Sequence, residues 1–132
     1  MQKTEILKDI YCVGAVDWGA RTFHGLTYST KRGTTYNAYL IIDEKIALVD
    51  TVYGPFFNES LERIKELIDP KKIDYIIANH VEIDHSGSLP KFMELAPKAK
   101  VICSPKGKDG LSKYFYGNWD FQVVKTGDQI QL

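Results

Sequence analysis

A chain of 132 residues suffices for one domain with its own core. Its 17 basic and 17 acidic residues cancel to zero net charge and are spread along the chain, which argues against a nucleic-acid-binding surface. No apolar run is long enough for a membrane span, and the opening "MQKTEILKDIYCVG" lacks the features of a signal peptide, so the expectation is a cytoplasmic protein with no nucleic-acid or membrane partner.

In chain order, "IYCVGAVDWG" (residues 10–19) predicts a short strand that leaves into a loop. The polar "RTFHGLTYSTKRGTT" has no sustained period and predicts a loop or irregular hairpin. "TYNAYLIIDEKIALVDT" predicts two strands around Asp43, Glu44 and Lys45, rich enough in Ile, Leu and Val for a buried sheet. "FNESLERIKELIDP" predicts a helix capped by Asn58, with Leu61, Ile64, Leu67 and Ile68 as its apolar stripe and Pro70 as its end.

"KIDYIIANH" follows as a buried strand that delivers His80 at its C-terminal end. Ser88 is placed to cap a helix with Leu89, Phe92, Met93 and Ala96 on one face. "KVICS" predicts another strand. Ser104 and Pro105 open a helix through about Phe115. "DFQVVKTGDQIQL" predicts a strand, a Gly-Asp turn and the start of a further strand, which suggests the front portion of something longer. Strands first, then strand and helix in alternation, predict an α/β layered fold. Cys12 and Cys103 lie beside apolar residues and outside any CxxC pair, so both are expected as buried, reduced thiols in strands.

The chemistry concentrates in "NHVEIDHSGSLP". His80, Glu82, Asp84 and His85 supply two nitrogen and two carboxylate donors within six positions, a mixed set suited to Fe, Mn or Zn rather than Ca or Cu(I). In an extended stretch His80, Glu82 and Asp84 would share one side and His85 would point elsewhere, so two metals could be served. Spacing alone leaves a metal site and a solvated turn both open. Asp50, at the end of "KIALVD", is expected to hold the loop by hydrogen bonds. Asn79 and Ser86 are expected to fix its backbone, and Gly87 to permit a tight turn.

The pattern His-x-Glu-x-Asp-His resembles the first metal motif of the metallo-β-lactamase-like superfamily, with Glu82 where most members have His. That departure is characteristic of flavodiiron proteins. "WGARTFHG", "GTTYNAYLI", "LVDTVY" and "NHVEIDHSGSLP" look like segments of that family in its order and cover essentially the whole chain. The resemblance implies a partial metallo-β-lactamase-like αββα sandwich. Residues 1–132 would be its N-terminal part, with the rest of the domain and a C-terminal flavodoxin-like domain lying outside the chain.

It further implies a non-haem di-iron site, with His80 and Glu82 on one iron and Asp84 and His85 on the other. The remaining ligands would come from downstream. FMN would serve as second cofactor and a rubredoxin-like protein as electron donor, in a homo-oligomer. The implied reaction is reduction of oxygen to water, of nitric oxide to nitrous oxide, or of both. His24, in "RTFHGLTYS", is expected in the pocket or behind the ligands. The Tyr114-Phe115-Tyr116 run is expected to be partly exposed. The rival reading is a zinc-dependent hydrolase of the same superfamily, against which Glu82 argues, because an anionic ligand weakens the ion as a Lewis acid.

Overall fold

The computed structural model describes residues 4–132; residues 1–3, the start of the polar N-terminus read above, lie outside the described residues. Seven strands form one mixed sheet in the order β1-β2-β7-β8-β9-β10-β11. They are β1 (Thr4–Leu7), β2 (Ile10–Cys12), β7 (Tyr39–Ile42), β8 (Ile46–Val49), β9 (Tyr75–Ile77), β10 (Lys100–Cys103) and β11 (Asp120–Val123). The pairs from β1 to β8 are antiparallel, and those from β8 to β11 are parallel. The order of elements legible in the sequence explains this division. Two hairpins, β1-β2 and β7-β8, make the first half, and strands separated by helices make the second.

The strand predicted from residue 10 divides in two. After β2 the chain bends at Val13 and Gly14 and continues as β3 (Ala15–Asp17), which pairs with β6 (Thr34–Tyr36) in a separate two-stranded sheet. Gly14 is required there because a Cβ would collide with the Tyr36 carbonyl oxygen and stand 2.9 Å from the Ala38 nitrogen. Between β3 and β6, β4 (Thr22–Phe23) and β5 (Tyr28–Ser29) pair as an irregular hairpin, as expected.

Helix α1 (Phe57–Lys65) buries Phe57, Ser60, Leu61 and Ile64, the i, i+3, i+4, i+7 spacing of one helical face. Asn58 is not its cap. A 3-10 turn at Gly54–Phe56 runs straight into the helix, so Asn58 already lies inside it. The helix ends at Lys65, which leaves Leu67 and Ile68 beyond it, still packed on the core. Helix α3 (Leu89–Leu95) follows a short turn of helix, α2 (Ile83–Ser86). Ser88 takes the position before α3 but makes no capping bond, and its hydroxyl is buried without a hydrogen-bond partner. Helix α4 (Pro105–Tyr114) starts where expected, with Ser104 Oγ accepting from the Gly107 amide at 3.0 Å.

The core joins α1 and α3 to the sheet through Phe57, Ile64, Leu89 and Phe92 over Leu40, Leu48, Ile76 and Val101. Phe57 and Phe92 meet edge-on at 5.0 Å. Each such fully buried side chain contributes roughly 1.5–3 kcal/mol by removal from water. Cys103 is buried in β10, and burial pushes its thiol pKa up; Cys12 lies in β2 but is only half-buried. Tyr114 and Tyr116 are exposed, as expected of that run. The expected final strand does not form. Residues 129–132 have no strand assignment, although the Gly-Asp turn is present, with the Asp128 amide donating to the Lys125 carbonyl at 3.1 Å. Among the described residues, no helix is long and apolar enough to cross a membrane.

Register places the site. Val49 pairs with Ile77, and Ile77 with Ile102, so the segments leaving β8 and β9 emerge side by side at the C-terminal edge of the parallel strands. Open α/β sheets offer their ligand-binding crevices at that edge.

Candidate metal centre

The segment leaving β8 begins with Asp50, and the segment leaving β9 carries residues 79–85. Asp50 is almost fully buried and takes a positive φ of 56°. Its carboxylate accepts the Asn79 backbone amide at 2.8 Å and the Asn79 side-chain amide at 3.4 Å, and lies 3.2 Å from His85 Nδ1. An ionised carboxylate only accepts, so in this contact Nδ1 is the donor, while Nε2 faces Asp84 Oδ2 at 3.4 Å. Asp50 is therefore the support expected of it. Thr51 adds to the grip, its amide donating to the His85 carbonyl at 3.0 Å and its hydroxyl to the same oxygen. Ser86 Oγ donates to the carbonyls of Val81 at 2.7 Å and Glu82 at 3.1 Å, which ties down the loop backbone.

The donor segment is not extended throughout. Glu82 is extended, with φ −62° and ψ 152°, but Ile83–Ser86 form α2, so Asp84 and His85 project from a turn of helix. Alternation of side chains therefore stops at Glu82. The consequence is a pairing. His80 Nε2 stands 3.5 Å from Glu82 Oε1, and His85 Nε2 stands 3.4 Å from Asp84 Oδ2. The two imidazoles meet edge-on with centroids 5.1 Å apart. Gly87 ends the turn with φ −60°, so its role is not a left-handed turn. A Cβ there would collide with the Ile83 carbonyl oxygen and stand 3.0 Å from the Gly54 nitrogen.

A cavity of about 430 Å³ opens beside this segment, lined by Glu82, Ile83 and Asp84 on one side and by Thr22, Phe23, His24 and Gly25 on the other. His24 has a positive φ of 51°, packs edge-on against Phe23 and Tyr28, and brings Nδ1 to 4.0 Å from Glu82 Oε2. The residue lies upstream in the sequence, and the fold carries it to the cavity wall. His80 and His85 stand beside the cavity rather than in its lining.

Asp17, Tyr36 and Tyr53 also line the cavity and were not singled out from the sequence. Tyr36 donates its hydroxyl to Asp17 Oδ2 at 2.8 Å. Burial, followed by that bond and the Asp17 charge, holds the phenol pKa well above the ordinary tyrosine range. A signal for Asp17 was present: "DWGA" spells a turn in which an aspartate accepts amides two and three residues on.

Residues 34–132 match the family described as ODP family beta lactamase. The chain belongs to this family. The ODP-family chain is 50% identical over 132 residues to a nitric oxide reductase of Moorella thermoacetica, covering 99% of this chain and 33% of that protein. It is 46% identical over 133 residues to a rubredoxin-oxygen oxidoreductase of Megalodesulfovibrio gigas, covering 100% of this chain and 33% of that one. In structure it superposes with a TM-score of 0.91 on the rubredoxin oxygen:oxidoreductase of Desulfovibrio gigas, at 44% identity over 96% of this chain and 32% of the other. The flavodiiron protein of Giardia intestinalis gives a TM-score of 0.91 at 35% identity, over 99% of this chain and 32% of the other. These likenesses bear out the expected flavodiiron relationship and the partial metallo-β-lactamase-like α/β fold. The chain spans about a third of the length of the curated relatives it matches.

Whether the side chains suit a metal is a separate question. Among the described residues, no group of three or more His, Cys, Asp or Glu side chains is gathered as one ion site. The donor types, imidazole beside carboxylate, nevertheless suit a metal such as Fe, Mn or Zn. At Nε2 each imidazole has a carboxylate oxygen within 3.5 Å, hard oxygen beside borderline nitrogen.

Proposed function

We propose that this chain is the N-terminal part of the lactamase-like domain of a flavodiiron oxidoreductase, reducing oxygen to water, nitric oxide to nitrous oxide, or both. The observation that carries this reading is Glu82. It stands between His80 and His24 at the cavity wall, a carboxylate where a zinc hydrolase of this superfamily would present imidazole. His80 and Glu82 would hold one non-haem iron, and Asp84 and His85 the other. Iron held there would supply the electrons for reduction of a diatomic ligand, with flavin as their source. The remaining ligands and an FMN-binding flavodoxin-like domain would lie outside residues 1–132, in a cytoplasmic homo-oligomer fed by a rubredoxin-like donor.

The chain's own residues prepare the site. Asp50 orients the His85 ring through Nδ1, which turns Nε2 toward Asp84. Asp50 and Ser86 hold the backbone on both sides of Glu82, so its carboxylate is placed by the buried sheet edge rather than by a mobile loop. Phe23 and Tyr28 fix the His24 ring at the opposite wall.

The decisive test is elemental analysis of the full-length protein, purified without added metal, beside its visible spectrum. Two irons per chain with a flavin spectrum are expected, whereas zinc without flavin would establish the hydrolase. Glu82→His is expected to raise the zinc-to-iron ratio, and an unchanged ratio would remove Glu82 from the ligand set.

A further inference from the structure

The residues between β3 and β6 form a body tied mostly to itself. Arg21 donates from one guanidinium nitrogen to the carbonyls of Trp18 at 2.8 Å and Ala20 at 2.9 Å. The Thr30 amide donates to the Arg21 carbonyl at 2.9 Å, and Thr22 and Phe23 pair with Ser29 and Tyr28. His24 sits at the end of this unit. A small rotation at its base therefore moves the His24 ring by a larger distance at the cavity.

That base is Asp17, and both carboxylate oxygens are engaged. Oδ1 accepts the amides of Gly19 and Ala20, each at 3.0 Å, and so belongs to the loop. Oδ2 accepts the Tyr36 hydroxyl at 2.8 Å, and Tyr36 belongs to the body. The Tyr36 ring is buried against Tyr53 at 5.7 Å and Phe56 at 5.1 Å. A plain loop turn uses one oxygen of such an aspartate. Here the second oxygen joins the turn to a fixed phenol on the cavity wall, and hydrogen bonds to a charged group are the stronger kind.

We propose that Tyr36 and Asp17 are positioning residues of the site: their phenol–carboxylate bond anchors the 18–30 hairpin and thereby sets the distance between His24 and Glu82. Its catalytic consequence rests on the oxidoreductase reading given above; its structural part does not.

The test is Tyr36→Phe in the full-length protein, which removes the hydroxyl and keeps the ring packing. Arg21, Lys31 and Arg32 are exposed trypsin sites in the hairpin and its return. Native tryptic cleavage there is expected to rise roughly tenfold, as for loss of a hydrogen bond to a charged group. Asp17→Asn can still accept the two amides and donate to the phenol oxygen but loses the charge, so its cleavage is expected to lie between that of wild type and that of Tyr36→Phe. Iron per chain is expected to stay constant. The kcat with oxygen or nitric oxide should fall about tenfold with KM within about twofold, as for a misplaced group rather than a lost binding contact.

Unchanged cleavage in Tyr36→Phe overturns the anchor. Raised cleavage with unchanged kcat overturns the positioning role, and loss of iron would show that Tyr36 acts on metal binding instead. A wild-type protein without iron defeats the functional reading alone. Cleavage and His24 modification by diethyl pyrocarbonate then decide the anchor, with at least a threefold change at His24 expected in Tyr36→Phe.

Discussion

The cavity wall formed by residues 79–87 is held from beneath, by Asp50, Thr51 and Ser86, whose side chains are buried or nearly so. The facing wall, residues 18–30, is an exposed two-stranded hairpin that joins the body at Asp17 and Tyr36. The donors that must hold a fixed geometry stand on the first wall. The residue that faces them, His24, stands on the second. Local stability is not uniform in a folded chain, and elements with few buried contacts open first. The contrast separates a wall pinned by buried side chains from one that stands on the short β3–β6 pair and the Asp17–Tyr36 bond.

The largest expected effect is on the rigid wall. Asp50→Ala leaves the Asn79 amide and His85 Nδ1 without their acceptor and places alanine at φ 56°. Part-buried donors left without their acceptor and a strained backbone together cost about 3 kcal/mol. The urea midpoint of the purified protein should fall accordingly, and iron content should fall with it because His85 loses its orientation. Retained stability and iron would erase the distinction between the two walls.

Gly87→Ala ranks next. Its methyl would press on the Ile83 carbonyl and the Gly54 nitrogen, both backbone atoms that cannot rotate away. Overpacking of this kind costs roughly 1–3 kcal/mol. A midpoint change below about 0.5 kcal/mol would mean that the Gly54 turn yields, and that the platform is softer than its packing implies.

This contrast was only half legible in the sequence. The donor wall was readable because its residues are neighbours in the chain: a buried strand, then His80, Glu82, Asp84 and His85, with Asp50 ending the adjacent strand. Its conformation was not readable. Ser86 was expected to fix the loop backbone and does so by bonding back to Val81 and Glu82, but the alternating pattern of an extended run did not reveal that the segment turns helical at Ile83. The same limit applied to Asn58, a good cap by type that was displaced when the Gly54–Phe56 turn took over the helix start. The facing wall was legible as an irregular hairpin carrying His24, but its link to the rest of the fold was not. Tyr36 and Asp17 lie 19 residues apart, and their meeting depends on the β3–β6 register, which no local pattern encodes.

The smallest expected effect sharpens the comparison from the other side. His24 is exposed and has φ 51°, a conformation that asparagine adopts at least as readily. His24→Asn removes the ring contacts with Phe23 and Tyr28 but keeps the turn, so the urea midpoint should move by no more than about 0.5 kcal/mol. Iron content should also persist, because His80, Glu82, Asp84 and His85 are held by the other wall. The visible spectrum of the iron-loaded protein should nevertheless change, since the imidazole 4.0 Å from Glu82 is gone. A stable, iron-replete variant with an altered spectrum would assign His24 to the site rather than to the fold. A midpoint loss of about 2 kcal/mol would instead make the hairpin part of the rigid body, and the two walls would then have to be treated as one.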